Sequence, residues 1–151
     1  MKSPSLILLI VSLLSCTSQP AIKQVKIFYP SGKLSATGGM QDSLRHGKWT
    51  GFYETGEKES EGYYKKGNPT GKAYFYYPDG KIKRETDFKN GRIYKEISWY
   101  PNGLKQEEGY YSLEKFQRTG SWFYFDSTGK HCDTINHDKT PYEGKEIYFQ
   151  F

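Results

Sequence analysis

Gly71-Lys72-Ala73-Tyr74-Phe75-Tyr76-Tyr77-Pro78-Asp79-Gly80-Lys81-Ile82-Lys83-Arg84-Glu85-Thr86-Asp87-Phe88 is the stretch that decides the fold. Residues 72–77 are dominated by β-favouring rings. Pro78-Asp79-Gly80 then interrupts the run. Proline presets φ at the first corner of a turn, aspartate suits the second, and glycine accepts the following positive φ without steric cost. This is the signature of a short, bulged hairpin loop. Residues 81–88 are polar and end on a ring, and Lys89-Asn90-Gly91 closes them with another turn.

The same unit recurs on both sides. Glycines fall at Gly32, Gly56, Gly80, Gly103 and Gly129, at spacings of 24, 24, 23 and 26. A ring precedes each of these glycines at Phe28, Phe52, Tyr76, Trp99 and Phe125, and Phe149 continues the series. The corners Tyr29-Pro30-Ser31-Gly32, Tyr53-Glu54-Thr55-Gly56 and Tyr100-Pro101-Asn102-Gly103 repeat the first, and Phe125-Asp126-Ser127-Thr128-Gly129 is a drifted version. Second strands end in register on Met40, Tyr64, Phe88 and Tyr111. First strands are expected to open at Gly47, Gly71 and Gly120, and a last one at Gly144. The third unit lacks one residue near Gly91 and carries Tyr94 where other copies have glycine; the fourth has two extra residues within 112–119. Helical periodicity is absent after the leader. A fixed period of this length means copied units that stack. The expected fold is all-β: an open, twisted, single-layer antiparallel ribbon of stacked hairpins.

Side chains alternate faces along a strand, so the Phe28 series shares one face. Tyr29, Tyr53, Tyr77 and Tyr100 are expected on the other. Tyr53, Tyr77 and Tyr100 are the candidate partner-binding residues, because rings are favoured at interface centres.

Hydrophobic residues make up 35% of the chain and aromatic residues 17%, so rings must replace an aliphatic core between two layers. The net charge of +5 falls by one when Lys2 leaves with the leader. Lys and Glu are interspersed, as on a solvated sheet, and a nucleic-acid partner is not expected.

Residues 1–15 read as a secretory leader: Lys2, an apolar run over 6–14 too short to span a bilayer, then Ser15 and Cys16. Leu13-Leu14-Ser15-Cys16 resembles the lipobox of bacterial lipoproteins, with Leu14 large for its position. The resemblance implies cleavage before Cys16 and acylation of that cysteine, an anchor worth about 0.8 kcal/mol per buried methylene. Residues 16–24 are expected to form a flexible tether and 25–151 the repeat domain. In some lipoproteins an acidic cluster after the cysteine directs surface export; none follows Cys16, so the resemblance implies a location in the cell envelope facing the periplasm, with the outer membrane expected. Cys132, left alone in the mature chain, reads as a small buried residue.

Gly47, Trp49, Phe52, Tyr53, Gly56, Gly62 and Tyr64 trace a pattern that resembles the MORN repeat, most closely its bacterial variant. The resemblance spans about residues 25–151. It implies a twisted ribbon with one hairpin per repeat and a non-enzymatic scaffold or junction module, some of whose relatives contact phospholipids or dimerise. Bacterial members often carry an antitoxin-like or immunity-partner label.

Little in the sequence suggests catalysis. His131, Cys132, Asp133 and His137 have no zinc-site spacing, and no metal or other cofactor is expected. No nucleophile elbow, phosphate loop or metalloprotease motif occurs. Glu57, Glu59, Glu61, Glu107 and Glu108 are numerous, but a solvated ribbon is not expected to shift a carboxylate pKa. The reading is a lipid-anchored, non-enzymatic module that binds a protein partner, the alternative being an envelope glycan or anionic phospholipid headgroup.

Overall fold

The computed structural model describes residues 21–139. Ten strands form one antiparallel sheet in which each strand pairs only with its neighbours in sequence. They are β1 (Lys23–Phe28), β2 (Leu34–Gln41), β3 (Leu44–Phe52), β4 (Lys58–Lys65), β5 (Asn68–Tyr76), β6 (Ile82–Lys89), β7 (Arg92–Trp99), β8 (Lys105–Tyr111), β9 (Arg118–Phe125) and β10 (His131–Asn136). No helix occurs among the described residues. The all-β, open, single-sheet expectation holds. Strand β1 starts at Lys23, so the expected tether gives up its last two residues to the sheet. Cys16, Gly144 and Phe149 lie outside the described residues.

Two kinds of turn alternate and so segregate to opposite edges of the ribbon. One edge carries the Gly32, Gly56, Gly80, Gly103 and Gly129 corners. In the central one the Gly80 amide donates to the Tyr77 carbonyl at 2.9 Å and the Tyr77 amide to the Lys81 carbonyl at 2.8 Å. Gly80 has φ +82°, as the turn chemistry requires. The other edge carries two-residue turns with both φ positive: Asp42-Ser43 (50°, 63°), Lys66-Gly67 (51°, 81°) and Asn90-Gly91 (51°, 75°). Their hand matches the twist of the strands they join. The two extra residues of the fourth unit fall on this edge, in a wider loop over 112–117 that leaves Phe116 66% exposed with φ 57°.

Each of the Gly32-type corners is followed by a bulge, because the register slips by one residue there. The extra residues are Ser35, Glu59, Lys83, Gln106 and Cys132. This corrects the reading of Cys132: it occupies the recurrent bulge position and is exposed, not buried. Gly47, Gly71 and Gly120 are likewise corrected. They do not open strands but lie inside β3, β5 and β9 with φ of 74°, 64° and 64°, where the register against the preceding strand breaks. In β7 the break is smaller and skips Tyr94 alone, with no positive φ there. The missing residue of the third unit and the replaced glycine are therefore one change.

Cross-strand pairing lines up one row across the whole ribbon: Val25, Gly38, Trp49, Gly62, Ala73, Thr86, Glu96, Gly109, Trp122 and Ile135. Seven of these residues are buried, and Gly39 is the one other buried position among the described residues. The core is thus a single file of side chains on one face, called here the core face. Trp49 lies over Gly38 and Trp122 over Gly109, each glycine leaving room for the indole. The indole nitrogens donate to the Gly39 and Tyr110 carbonyls, both at 2.9 Å. Arg45 stacks 4.4 Å above the Trp49 ring and Arg118 3.7 Å above Trp122, sealing both from water.

On the opposite face the Phe28 series forms the expected ladder. Phe28 pairs with Leu34, Phe52 with Lys58, Tyr76 with Ile82, Trp99 with Lys105 and Phe125 with His131. The lysines bridge to the next unit: Lys58 lies 5.0 Å from the Tyr76 ring centre and Lys105 5.7 Å from that of Phe125. Rings alternate with aliphatic or lysine stems, which cover apolar surface while their ammonium groups stay in water.

Candidate functional site

The tyrosines singled out from the sequence sit at the Gly56, Gly80 and Gly103 corners, and each reaches into the next unit. Tyr53 donates its hydroxyl to the Tyr76 carbonyl at 2.6 Å, Tyr77 to the Trp99 carbonyl at 2.8 Å, and Tyr100 to the Phe125 carbonyl at 2.9 Å. Tyr29 does the same to the Phe52 carbonyl at 2.7 Å. Burial holds the Tyr53, Tyr77 and Tyr100 hydroxyls above the ordinary phenol range. The series ends at Asp126, whose carboxylate instead accepts from the Thr128 and Lys130 amides within its own turn. These tyrosines fasten unit to unit, and their rings are half-buried.

Tyr53 and Tyr77 also line a groove of about 390 Å³ on the core face, together with Phe75, Arg84, Glu96 and Ser98. Glu59, Lys83, Gln106 and Glu107 complete its polar rim. Three of these, Glu59, Lys83 and Gln106, are bulge residues, so the same irregularity that follows each corner supplies the rim.

At the floor of this groove the core row changes chemistry. Where other units place Gly against Trp or Ala, the third unit places Thr86 against Glu96. Thr86 is 2% exposed and Glu96 7%. The Thr86 hydroxyl lies 3.5 Å from a Glu96 carboxylate oxygen and an Arg84 guanidinium nitrogen 3.9 Å from it. Both are long for hydrogen bonds. Burial pushes the Glu96 carboxyl above the ordinary range, against the pull of Arg84. Arg84 stacks 4.3 Å above the Phe75 ring, and its Nε is buried without a hydrogen-bond partner. Beside the row, Arg118 pairs with Glu107 at 3.2 Å and donates to the Tyr124 hydroxyl at 2.6 Å.

The ladder face carries a second perturbed carboxylate. Glu61 accepts from Lys48 at 2.8 Å, from Tyr76 at 2.5 Å and from Lys58 at 3.2 Å. The Lys48 and Tyr76 hydrogen bonds hold its pKa down to about 2, while Tyr76 is pushed up to about 12 by burial and by Glu61. The expectation that a ribbon cannot shift a carboxylate is thereby corrected in both directions: one face buries Glu96 and the other encircles Glu61 with donors. Glu96 escaped the sequence reading. The signal was its register, since Trp49, Ala73, Glu96 and Trp122 occupy one slot and Tyr94 already marked that unit as divergent.

The ladder face also exposes rings: Tyr63 is 53% exposed, Tyr110 42% and Phe123 40%. His131 contacts Thr134 at 2.8 Å, while His137 meets the Trp122 ring edge-on. Among the described residues no three His, Cys, Asp or Glu side chains are grouped to hold a metal ion.

No curated protein matches the chain. Residues 45–66 and 69–90, the hairpins centred on the Gly56 and Gly80 corners, match the family described as MORN repeat variant.

Proposed function

We propose that this chain is a non-enzymatic interaction module of the bacterial cell envelope, anchored through an acylated Cys16, and that its ribbon captures a protein partner. The observation that carries the reading is the exposure of large rings on a sheet one layer thick. Tyr63, Tyr110 and Phe123 lie on the ladder face, with no second layer above them among the described residues. Rings held on a rigid sheet and left open to solvent suit the centre of a protein interface. The match to a repeat type commonly used for protein and membrane contacts supports this choice over an enzyme.

Two experiments test it. A photoreactive residue replacing Tyr63 is cross-linked in intact cells and the adducts identified by mass spectrometry. A defined protein adduct is expected, and recovery of lipid alone, or of nothing, overturns the partner reading. Cys16→Ala is expected to move the protein out of the membrane fraction. An unchanged distribution removes the anchor.

A further inference from the structure

The groove above Glu96 lies on the face away from Tyr63, and the protein-partner reading makes no use of it. A carboxylate in the core row of the described residues is costly unless it is fully hydrogen-bonded. Here its neighbours stand at 3.5 Å and 3.9 Å, and the guanidinium beside it keeps a buried Nε without an acceptor. A carboxylate held only by long contacts and a guanidinium with an unpartnered Nε thus share one floor. Other units solve the same position with Trp or Ala, so the fold does not require the polar pair.

The rim narrows the chemistry of what would complete it. Three carboxylates (Glu59, Glu96, Glu107) face the cations Lys83 and Arg84, and Arg118 pairs with Glu107, so neither a strongly anionic nor a strongly cationic ligand has a clear electrostatic advantage. Ser98 and Gln106 add groups that both donate and accept. Tyr53 and Tyr77 add rings whose hydroxyls are already pinned to the neighbouring unit, so their orientation is set before anything binds. The volume of about 390 Å³ falls in the range of small-molecule sites.

We propose that this groove binds a neutral oligosaccharide, whose hydroxyls donate to Glu96 and accept from Arg84 while a flat sugar face rests on Tyr53 and Tyr77. A hydroxyl is donor and acceptor at once, which is what the floor lacks. Sugars with equatorial substituents present a face of axial hydrogens that packs on a ring, so β-1,4-linked glucose and N-acetylglucosamine chains are the fitting class.

The test is titration calorimetry of the purified full chain in detergent with cellotetraose and chitotetraose. Saturable binding to at least one is expected, insensitive to added salt because the ligand is neutral. Ser98→Tyr fills the groove without removing a ring or an ion pair and is expected to weaken binding about tenfold or more. Gln106→Ala, at the half-buried bulge of β8, is expected to weaken it by a smaller factor, while Tyr63→Ser on the opposite face leaves it unchanged. Absence of binding to both sugars overturns the proposal. So does binding that Ser98→Tyr and Gln106→Ala both leave intact, or that Tyr63→Ser abolishes. Neither sugar result bears on cross-linking from Tyr63, so this proposal and the protein-partner reading fail separately.

Discussion

Gly109→Ala adds one methyl group, and its effect follows from the single-file core. The Gly109 φ lies outside the left-handed region, so alanine is conformationally acceptable there. Space is the obstacle: the new Cβ would sit 2.5 Å from Trp122 Cγ, far inside van der Waals contact. Trp122 is fully buried and cannot retreat without opening its 2.9 Å hydrogen bond to the Tyr110 carbonyl and its stacking under Arg118. Burying an indole is worth about 4–6 kcal/mol by area. Overpacking together with the strained or broken hydrogen bond is expected to cost about 2–4 kcal/mol. Gly38→Ala beneath Trp49 is expected to behave alike, with the same 2.5 Å approach to Cγ. Gly62→Ala is the milder comparison, since its Cβ would meet the Ala73 Cβ at 3.0 Å and the Ala73 Cα at 3.6 Å. Reduced unfolded-state freedom offsets part of that crowding, leaving a cost smaller than at Gly109. Urea unfolding followed by both tryptophan fluorescence and far-UV circular dichroism measures all three. Comparing the two probes matters because repeat arrays need not unfold in one step. In a Trp122→Ala background the Gly109→Ala penalty should vanish. Equal costs at Gly62 and Gly109, or a penalty that survives removal of the indole, would refute the single-file core.

Three further outcomes are expected. Glu96→Gln should stabilise the protein at neutral pH: burial raises the folded-state pKa, so the parent loses stability as pH rises from the unfolded carboxylate range through that raised value. The amide carries no charge, so its advantage should shrink as the pH is lowered toward 4, as read from melting temperatures across pH. Glu61→Gln should do the opposite. The folded pKa of about 2 lies below the unfolded value of 4.5, so the stabilisation it removes is present above 4.5, and the gap between variant and parent should close as the pH falls toward 2. Ser43→Gly should stabilise by about 1 kcal/mol, because serine at φ 63° bears the left-handed penalty that glycine escapes. A lower melting temperature for that variant would show that the Asp42-Ser43 turn is not of the doubly positive kind.

Much of the fold was legible because its unit is short and its punctuation is chemical. Pro78-Asp79-Gly80 and Asn90-Gly91 can do little except turn, and their recurrence fixes strand number, order and pairing between neighbours. The site was less legible. Tyr53, Tyr77 and Tyr100 stood out as rings, but that their hydroxyls fasten one unit to the next depends on where the bulge leaves the next carbonyl. Cys132 differs from its expectation for a related reason: the general tendency of a lone cysteine to be buried gives way here to a bulge position that only the cross-strand register reveals.

Glu96 shows where the division falls. Chain-local chemistry settles which residues turn and which extend, so a meander of about five hairpins and a further half-unit is legible in the sequence alone, and its first ten strands are those of the described residues. Burial in a sheet one layer thick depends instead on which residues meet across strands, and that register is set by bulges and by slips at Gly47, Gly71, Tyr94 and Gly120. Only the tertiary structure could place Glu96 in the row of Trp49 and Trp122, because only cross-strand pairing decides which side chain loses its water.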